Sequence, residues 1–411
     1  MTLKLPDDFI IGAATSSYQI EGGNFNSDWY EWEKKIKAAD CICGNACKSW
    51  ELYLQDIEVL KKFKFEAYRT SIEWGRIFKT PTEIDEEAVE HYVNMFKAIK
   101  SSGIKLYLTL QHHTLPLWLN GGWSNKEVLK HFKVYVRTAG ERFQKYVDAW
   151  MPINEPCINN IFGYFMSLFP PGKNSLIAAV KVPTVQMKAH LAAYKILKEI
   201  NSSIPIGFVK QLPGFKSKSN RIIDRVLTVF YDYLFNGLYV NSFSSGRLPF
   251  SIFRNVEFIN SIDFWGLNYY TTKHVAFGES KEEFYNTTID ADSENMLGWK
   301  CEPEGLYKGI KRLWKLSKKP IFITENGIAT NSEQSRIDYI KKHLIAISKA
   351  IEEGVEVRGY FYWSLLDNFE WCYGFKPTFG VVGVDRTTFE RTPKESAYYL
   401  KKVSETKVID L

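Results

Sequence analysis

From Phe9 onward, short apolar runs alternate with longer amphipathic stretches, and this alternation constrains the fold more than any other feature of the chain. The apolar runs cover residues 9–12, 67–71, 105–110, 149–154, 206–209, 263–268, 321–324 and 357–362. Each has the length of a buried strand. Helix-period segments lie between them, at 50–62, 86–101, 125–143, 184–200 and 333–352. Eight strand-then-helix units predict a closed (β/α)₈ barrel. A chain of 411 residues suits one large barrel, and no Ser/Pro/Gly linker or low-complexity tract divides it, so a single catalytic domain over 1–411 is expected. A doubly wound open sheet is the alternative, but no glycine-rich dinucleotide fingerprint follows the first strand.

Functional groups of such barrels gather at the carboxyl ends of the strands. Glu155 follows the run Ala149-Trp150-Met151-Pro152-Ile153-Asn154, and Glu325 follows Pro320-Ile321-Phe322-Ile323-Thr324. Either glutamate alone would ordinarily face water. Two carboxyls delivered to one cleft match the needs of glycosidic bond cleavage, where one acid protonates the leaving oxygen and the other carboxylate attacks or activates water. Asn154 offers an amide to a sugar hydroxyl, and Asn326-Gly327 permits a tight turn just past a strand.

Composition removes several other classes. Lys and Arg are scattered, and the formal net charge of +6 is modest, so no nucleic-acid footprint is read. The start, Met1-Thr2-Leu3-Lys4-Leu5-Pro6-Asp7-Asp8, has no apolar stretch behind a basic segment, so a secretory signal is not expected. The most apolar later stretch, 226–243, is interrupted by Asp232 and Asn236 and reads as an amphipathic buried helix, not a membrane span. Cys41, Cys43 and Cys47 crowd together without a fourth soft ligand at a zinc spacing. With Cys157, Cys301 and Cys372 they read as free thiols in a reducing cytoplasm. No metal and no cofactor is expected. Oligomeric state is left open. The 12 Trp and 23 Tyr cluster beside the polar motifs, where flat rings with a polar edge can stack on sugars.

A series of further motifs resembles glycoside hydrolase family 1, the β-glucosidase and β-glycosidase family, along nearly the whole chain. It begins with Phe9-Ile10-Ile11-Gly12 running to Gln19-Ile20-Glu21-Gly22, then Ser27-Asp28-Trp29 to Trp32, Tyr68-Arg69, and Ser71 to Trp74 with Arg76. It continues with His112 before Leu115-Pro116, Asn154-Glu155-Pro156, Phe169-Pro170-Pro171-Gly172 and Asn268-Tyr269-Tyr270. It ends with Thr324-Glu325-Asn326-Gly327 and Trp363 to Trp371. The resemblance implies a retaining β-glycosidase, chiefly a β-glucosidase with galactoside or fucoside tolerance, acting on a small β-glycoside or oligosaccharide. It implies Glu325 as nucleophile and Glu155 as acid/base. It further implies that Gln19, His112, Asn154, Glu370 and Trp371 hold sugar hydroxyls and that Trp363 lies under the ring. Arg69, Asn268 and Tyr270 would surround the nucleophile.

Those roles are chemically coherent. Arg69 would favour ionised Glu325, and the Tyr270 hydroxyl could donate to it. Burial among aromatics and the Glu325 charge would both raise the pKa of Glu155, keeping it protonated for the first step. The carboxyl groups would stand about 5–5.5 Å apart. The adjacent His112 and His113, read as strand residues, would point to opposite faces and so could not share a metal.

The sequence also departs from the family pattern. Many members have Trp where His113 stands. A Ser-x-Arg-Phe segment is replaced by Lys376-Pro377-Thr378-Phe379. The chain is short for the family, which implies trimmed loops and a reduced wall around the leaving group. A 6-phospho-β-glycosidase is disfavoured by Glu370, whose charge would repel a phosphate at O6. A transglycosidase using the same intermediate is an alternative. A non-catalytic sugar-binding barrel is disfavoured because both carboxyls are present.

Overall fold

In the computed structural model, residues 2–36, 41–279, 289–290 and 293–410 are described. Eight parallel strands form the central sheet, labelled here β1 (Ile10–Ala14), β2 (Ala67–Ser71), β3 (Lys105–Gln111), β4 (Ala149–Ile153), β5 (Gly207–Gln211), β6 (Phe264–Asn268), β7 (Ile321–Asn326) and β8 (Val357–Trp363). Their spatial order is β4-β3-β2-β1-β8-β7-β6-β5. The seam between β4 and β5 closes through isolated bridges at Trp150–Ile206 and Asn154–Val209. Trp150 N–H donates to Pro205 O at 2.9 Å. Residue 152 faces the same seam as Trp150, and as a proline it has no N–H to donate. That gap explains why this one ladder is sparse.

The barrel interior is plugged by aromatic side chains beneath the carboxyl ends. Tyr107 meets Phe361 at 4.8 Å and Phe322 at 5.4 Å between ring centroids, and Phe264 meets Phe322 at 5.2 Å. Small residues on the strands make room for them. A Cβ at Gly207 would lie 2.2 Å from the Phe264 ring, and one at Gly12 would lie 2.6 Å from Phe361. A second apolar layer joins the outer faces of the strands to the surrounding helices.

Helix boundaries differ from the sequence expectation in instructive ways. The segment expected at 125–143 forms a helix only over Val128–Phe143, because Gly122–Ser124 makes a 3₁₀ turn first. The helix expected at 184–200 begins earlier and spans Leu176–Ile200, running through Pro183. A proline there leaves the carbonyl of Ala179 without its helical donor. The Asn160 side chain fills that place, with Nδ2 donating to Ala179 O at 3.0 Å.

The stretch 226–243 departs most. It is not one buried helix. An α-helix over Ile222–Asp232 passes into a π turn at Tyr233–Gly237 and short helical pieces at Leu238–Val240 and Ser242–Ser245. Only the second half is buried, while Val226, Val229, Phe230 and Tyr233 are exposed. Periodicity identified an amphipathic segment but not which side its apolar stripe would face. No helix among the described residues is long and apolar enough to cross a membrane.

Candidate active site

Glu155 lies one residue past Asn154 at the end of β4, in a left-handed conformation with φ 45°. Its amide still pairs across the seam, donating to Val209 O at 3.2 Å. Glu325 sits within β7, where the register slips between Ile323 and Glu325 against β6. Gly327 serves a purpose other than the left-handed turn its Asn-Gly context suggests. A Cβ there would lie 1.8 Å from Trp363 O, so close approach of β7 to β8 requires glycine.

The two carboxyls share one network. Arg69, fully buried on β2, forms an ion pair with Glu325 and donates from Nη2 to Asn154 Oδ1 at 2.7 Å. The Tyr270 hydroxyl donates to the other Glu325 oxygen at 2.6 Å. Asn268 Nδ2 donates to Glu155 Oε1 at 2.7 Å, and its Oδ1 accepts from Thr324 Oγ1 at 2.6 Å. The environments of the two carboxyls therefore diverge. Burial, then the Glu325 charge, push the Glu155 pKa up to about 8, against opposing pulls from the Asn268 N–H, Lys210 and Arg69. Tyr270 is held well above its ordinary value by burial and by Glu325, so it remains a donor.

A cavity of about 310 Å³ opens onto both glutamates. Gln19, His112, Trp363, Glu370 and Trp371 line it. Glu370 accepts from Trp363 Nε1 at 3.1 Å and from Asn368 Nδ2 at 2.9 Å, and burial pushes its pKa up to about 8. Asn154, Arg69 and Asn268 are not among the lining residues and stand behind the wall. Asn154 is committed on both sides, because Oδ1 accepts from Arg69 and Asn268 while Nδ2 lies 3.1 Å from His112 Nε2. Those contacts fix the amide orientation, so Nδ2 donates to Nε2 and the imidazole proton sits on Nδ1. That nitrogen is buried and has no protein partner, which leaves a donor free for a ligand. Burial keeps His112 neutral by pushing its pKa well down.

His113 corrects the strand reading of the His pair. Both rings line the cavity and lie 5.0 Å apart. β3 ends at Gln111, and His113 has φ 69°, so strand alternation does not govern its direction. His113 Nδ1 pairs with Asn159 Oδ1 at 2.9 Å, and Nε2 stands 3.8 Å from Glu155 Oε2. Burial pushes His113 down to about 4, so this wall is polar but uncharged. Lys376 is exposed and is not among the lining residues, whereas Tyr373 and Phe379 are. Among the described residues, no cluster of His, Cys, Asp or Glu is arranged to hold a metal. The crowded thiols point to separate carbonyls: Cys41 to Cys372 O, Cys43 to Tyr18 O and Cys47 to Asp367 O.

Three contributors escaped sequence reasoning. Lys210 on β5 is fully buried and its charge acts on Glu155, while its ammonium contacts Cys157 Sγ at 2.9 Å. A lysine directly after a strand-length apolar run was the available signal. Lys273 and Trp299 line the cavity rim, and Lys273 reaches over the Trp299 ring at 5.8 Å. Lys273 lies on Thr272–Val275, which pairs with Gly214–Ser217 beyond the barrel ends. Nothing local in the sequence indicates that small sheet.

A barrel with two buried glutamates at its carboxyl end, one of them held by a guanidinium and a phenol, inside an aromatic cavity, fits a glycoside hydrolase. Comparison with known proteins supplies the family: residues 1–409 match the model of glycosyl hydrolase family 1, and the chain belongs to that family. It is 34% identical to beta-glucosidase 42 of Arabidopsis thaliana, over 97% of this chain and 94% of the relative. A beta-glycosidase from Pyrococcus horikoshii superposes with a TM-score of 0.90 at 37% identity, covering 100% of this chain and 97% of that one. A beta-glucosidase from Thermotoga maritima in complex with glucoimidazole superposes at 0.89 with 31% identity, covering 98% and 99%.

Proposed function

We propose that Glu325 is the nucleophile and Glu155 the acid/base of a retaining β-glycosidase, one catalytic domain spanning the chain and acting on neutral β-glucosides. The observation that carries this reading is the divergence of the two carboxyls. Glu325 has a guanidinium and a phenol aimed at it, while burial and the neighbouring charge favour the proton on Glu155. In the first step a Glu325 oxygen bonds to the anomeric carbon as the bond to the leaving oxygen breaks. The Glu155 proton passes to that oxygen. With Glu325 esterified its charge is gone, and Glu155 gives up its proton more readily. Water then attacks the anomeric carbon, its proton passes to Glu155, and the ester bond breaks with the electron pair returning to Glu325. Two displacements from opposite faces give net retention.

The inner end suits a neutral sugar. Gln19, His112 Nδ1 and Glu370 can exchange hydrogen bonds with hydroxyls, and Trp363 and Trp371 supply ring faces. A phosphate at O6 would meet the Glu370 carboxyl, and the one lysine lining the cavity stands at the rim. Galactoside or fucoside tolerance belongs to the same proposal. The six cysteines, none of them in a disulfide among the described residues, support a reducing, cytoplasmic setting.

Azide separates the two roles. Glu325→Gly should lose hydrolysis of every substrate, and azide should then form the α-glycosyl azide. Glu155→Ala should keep its first step with dinitrophenyl glycosides, and azide should speed turnover to the β-azide. The opposite pairing of products and variants would exchange the two assignments.

A further inference from the structure

Two segments near the barrel's β4 and β5 loops expose apolar side chains where a soluble protein ordinarily shows polar ones. In the helix Ile222–Asp232 and the turn after it, Ile222, Val226, Val229 and Tyr233 recur at i, i+4, i+7 and i+11, one stripe along the helix. They are 81%, 57%, 71% and 51% exposed. The side turned inward carries Asp224 instead, which accepts from Phe277 N–H at 2.8 Å and pairs with Arg221. The helix is thus seated by a charged residue with its apolar stripe outward.

The loop at 246–255 repeats the pattern. Ile252 is 86% exposed and Phe253 78%, at the tip of a turn closed by an Arg247–Arg254 bridge and by Asn255 N–H donating to Gly246 O at 2.7 Å. The loop is fastened to the helix Leu176–Ile200, where Thr184 Oγ1 donates to Pro249 O at 2.7 Å. Leu176, Ile177 and Val180, also exposed, lie within the first two turns of that helix.

Charge decides what could cover such a face. Residues 173–195 contain no Asp or Glu, and 219–256 contain only Asp224 and Asp232. Both are already engaged, by Arg221 and Arg312. Among the described residues, Lys181, Lys188, Arg225, Arg247 and Arg254 have no carboxylate partner. A second copy laid face to face would bring these cations together. Exposed apolar segments flanked along the chain by uncompensated cations are instead complementary to an interface that is apolar inside and anionic at its edge.

We infer that this face, formed by the 222–233 stripe, the 250–253 loop tip and the start of the 176–200 helix, docks on a lipid bilayer bearing anionic headgroups. The protein lies on the surface and does not span it. Isoleucine and phenylalanine at the loop tip enter the acyl boundary, and the flanking arginines and lysines remain at headgroup level.

Co-flotation of the full chain with extruded vesicles tests this. One vesicle set is phosphatidylcholine alone and the other an equal mixture with phosphatidylglycerol. Binding is expected on the mixed vesicles, with a partition coefficient at least about tenfold lower on phosphatidylcholine or in high salt. The pair Val229→Glu/Ile252→Glu should abolish binding. Arg225→Gln/Arg254→Gln should lower it severalfold on mixed vesicles only. Hydrolysis of a soluble nitrophenyl glucoside and the melting temperature should stay unchanged in both variants, which separates a lost surface from a lost fold. Absence of binding to either vesicle would overturn the inference. So would binding that both variants retain. A dimer in light scattering that Val229→Glu/Ile252→Glu disperses, without vesicle binding by the parent, would assign the face to a second copy.

Discussion

The inner end of the cavity and its rim are built on different terms. At the inner end, polar groups are fixed by other polar groups: Arg69 holds Asn154 and Glu325, Asn154 sets the tautomer of His112, and Trp363 and Asn368 hold Glu370. At the rim, Phe162, Leu168, Phe235 and Trp299 offer area with few fixed directions, and Lys273 stands among them with no carboxylate partner among the described residues. Prepaid orientation favours one sugar configuration at the reacting carbon. An apolar rim distinguishes leaving groups by size and burial, a weaker discriminator. Sugar configuration should therefore be read at the inner end, and the leaving group only loosely at the rim.

Arg69→Met should do the most damage. It removes the cation from a buried carboxylate and frees Asn154 to turn, so kcat/KM should fall by about 10²-fold or more on every glycoside, whatever its leaving group. A loss confined to certain leaving groups would break the division between inner end and rim. Glu370→Gln comes next. It keeps size but weakens hydrogen bonds to hydroxyls, and roughly a tenfold loss in kcat/KM for glucosides is expected, with a smaller loss for substrates lacking the contacted hydroxyl. Equal loss for both would mean that Glu370 does not read that hydroxyl.

The pH profile sharpens the same contrast. As the proposed acid, Glu155 would carry its proton into the first step, and its pKa is raised to about 8, so kcat/KM should fall as pH rises through about 8. Glu370, also near 8, is a second candidate for that limb. Glu155→Gln assayed with a dinitrophenyl glucoside should lose the limb. If it persists, the titration belongs to Glu370. The smallest effect is expected at the rim. Burial lowers Lys273 to about 8, with no carboxylate to oppose it. Lys273→Met should raise KM about twofold to fivefold for aryl glucosides bearing a carboxylate on the leaving group, and leave neutral ones unchanged. Equal change on both would deny Lys273 any charge reading.

Much of this was legible in the sequence because it depends on local pattern. Strand length and alternation marked all eight barrel strands, and the two motifs around Glu155 and Glu325 marked their carboxyl ends. What escaped depends on contacts distant in sequence. The helix expected from residue 184 begins at Leu176 and runs through Pro183, with Asn160, at the end of the short helix Pro156–Asn160, donating to the Ala179 carbonyl that the proline leaves unpaired. Read as strand residues, His112 and His113 would point to opposite faces, but β3 ends at Gln111 and the positive φ of His113 lets both rings line the cavity. Asn154 is held by Arg69, Asn268 and His112, partners that its local sequence does not announce. The stripe at 222–233 has a clear helical period, but period alone does not say whether a stripe meets the core or the outside.

The central claim is that Glu325 forms the bond to the sugar. Incubation with a 2-deoxy-2-fluoroglucosyl fluoride should form the ester quickly and hydrolyse it slowly, because the fluorine at C2 destabilises both oxocarbenium-like transition states. Peptic digestion and mass spectrometry then locate the sugar. The account predicts a single label on Glu325, in the peptide containing Ile321–Asn326. A label on Glu155, or no covalent adduct while hydrolysis of ordinary glucosides continues, would contradict it.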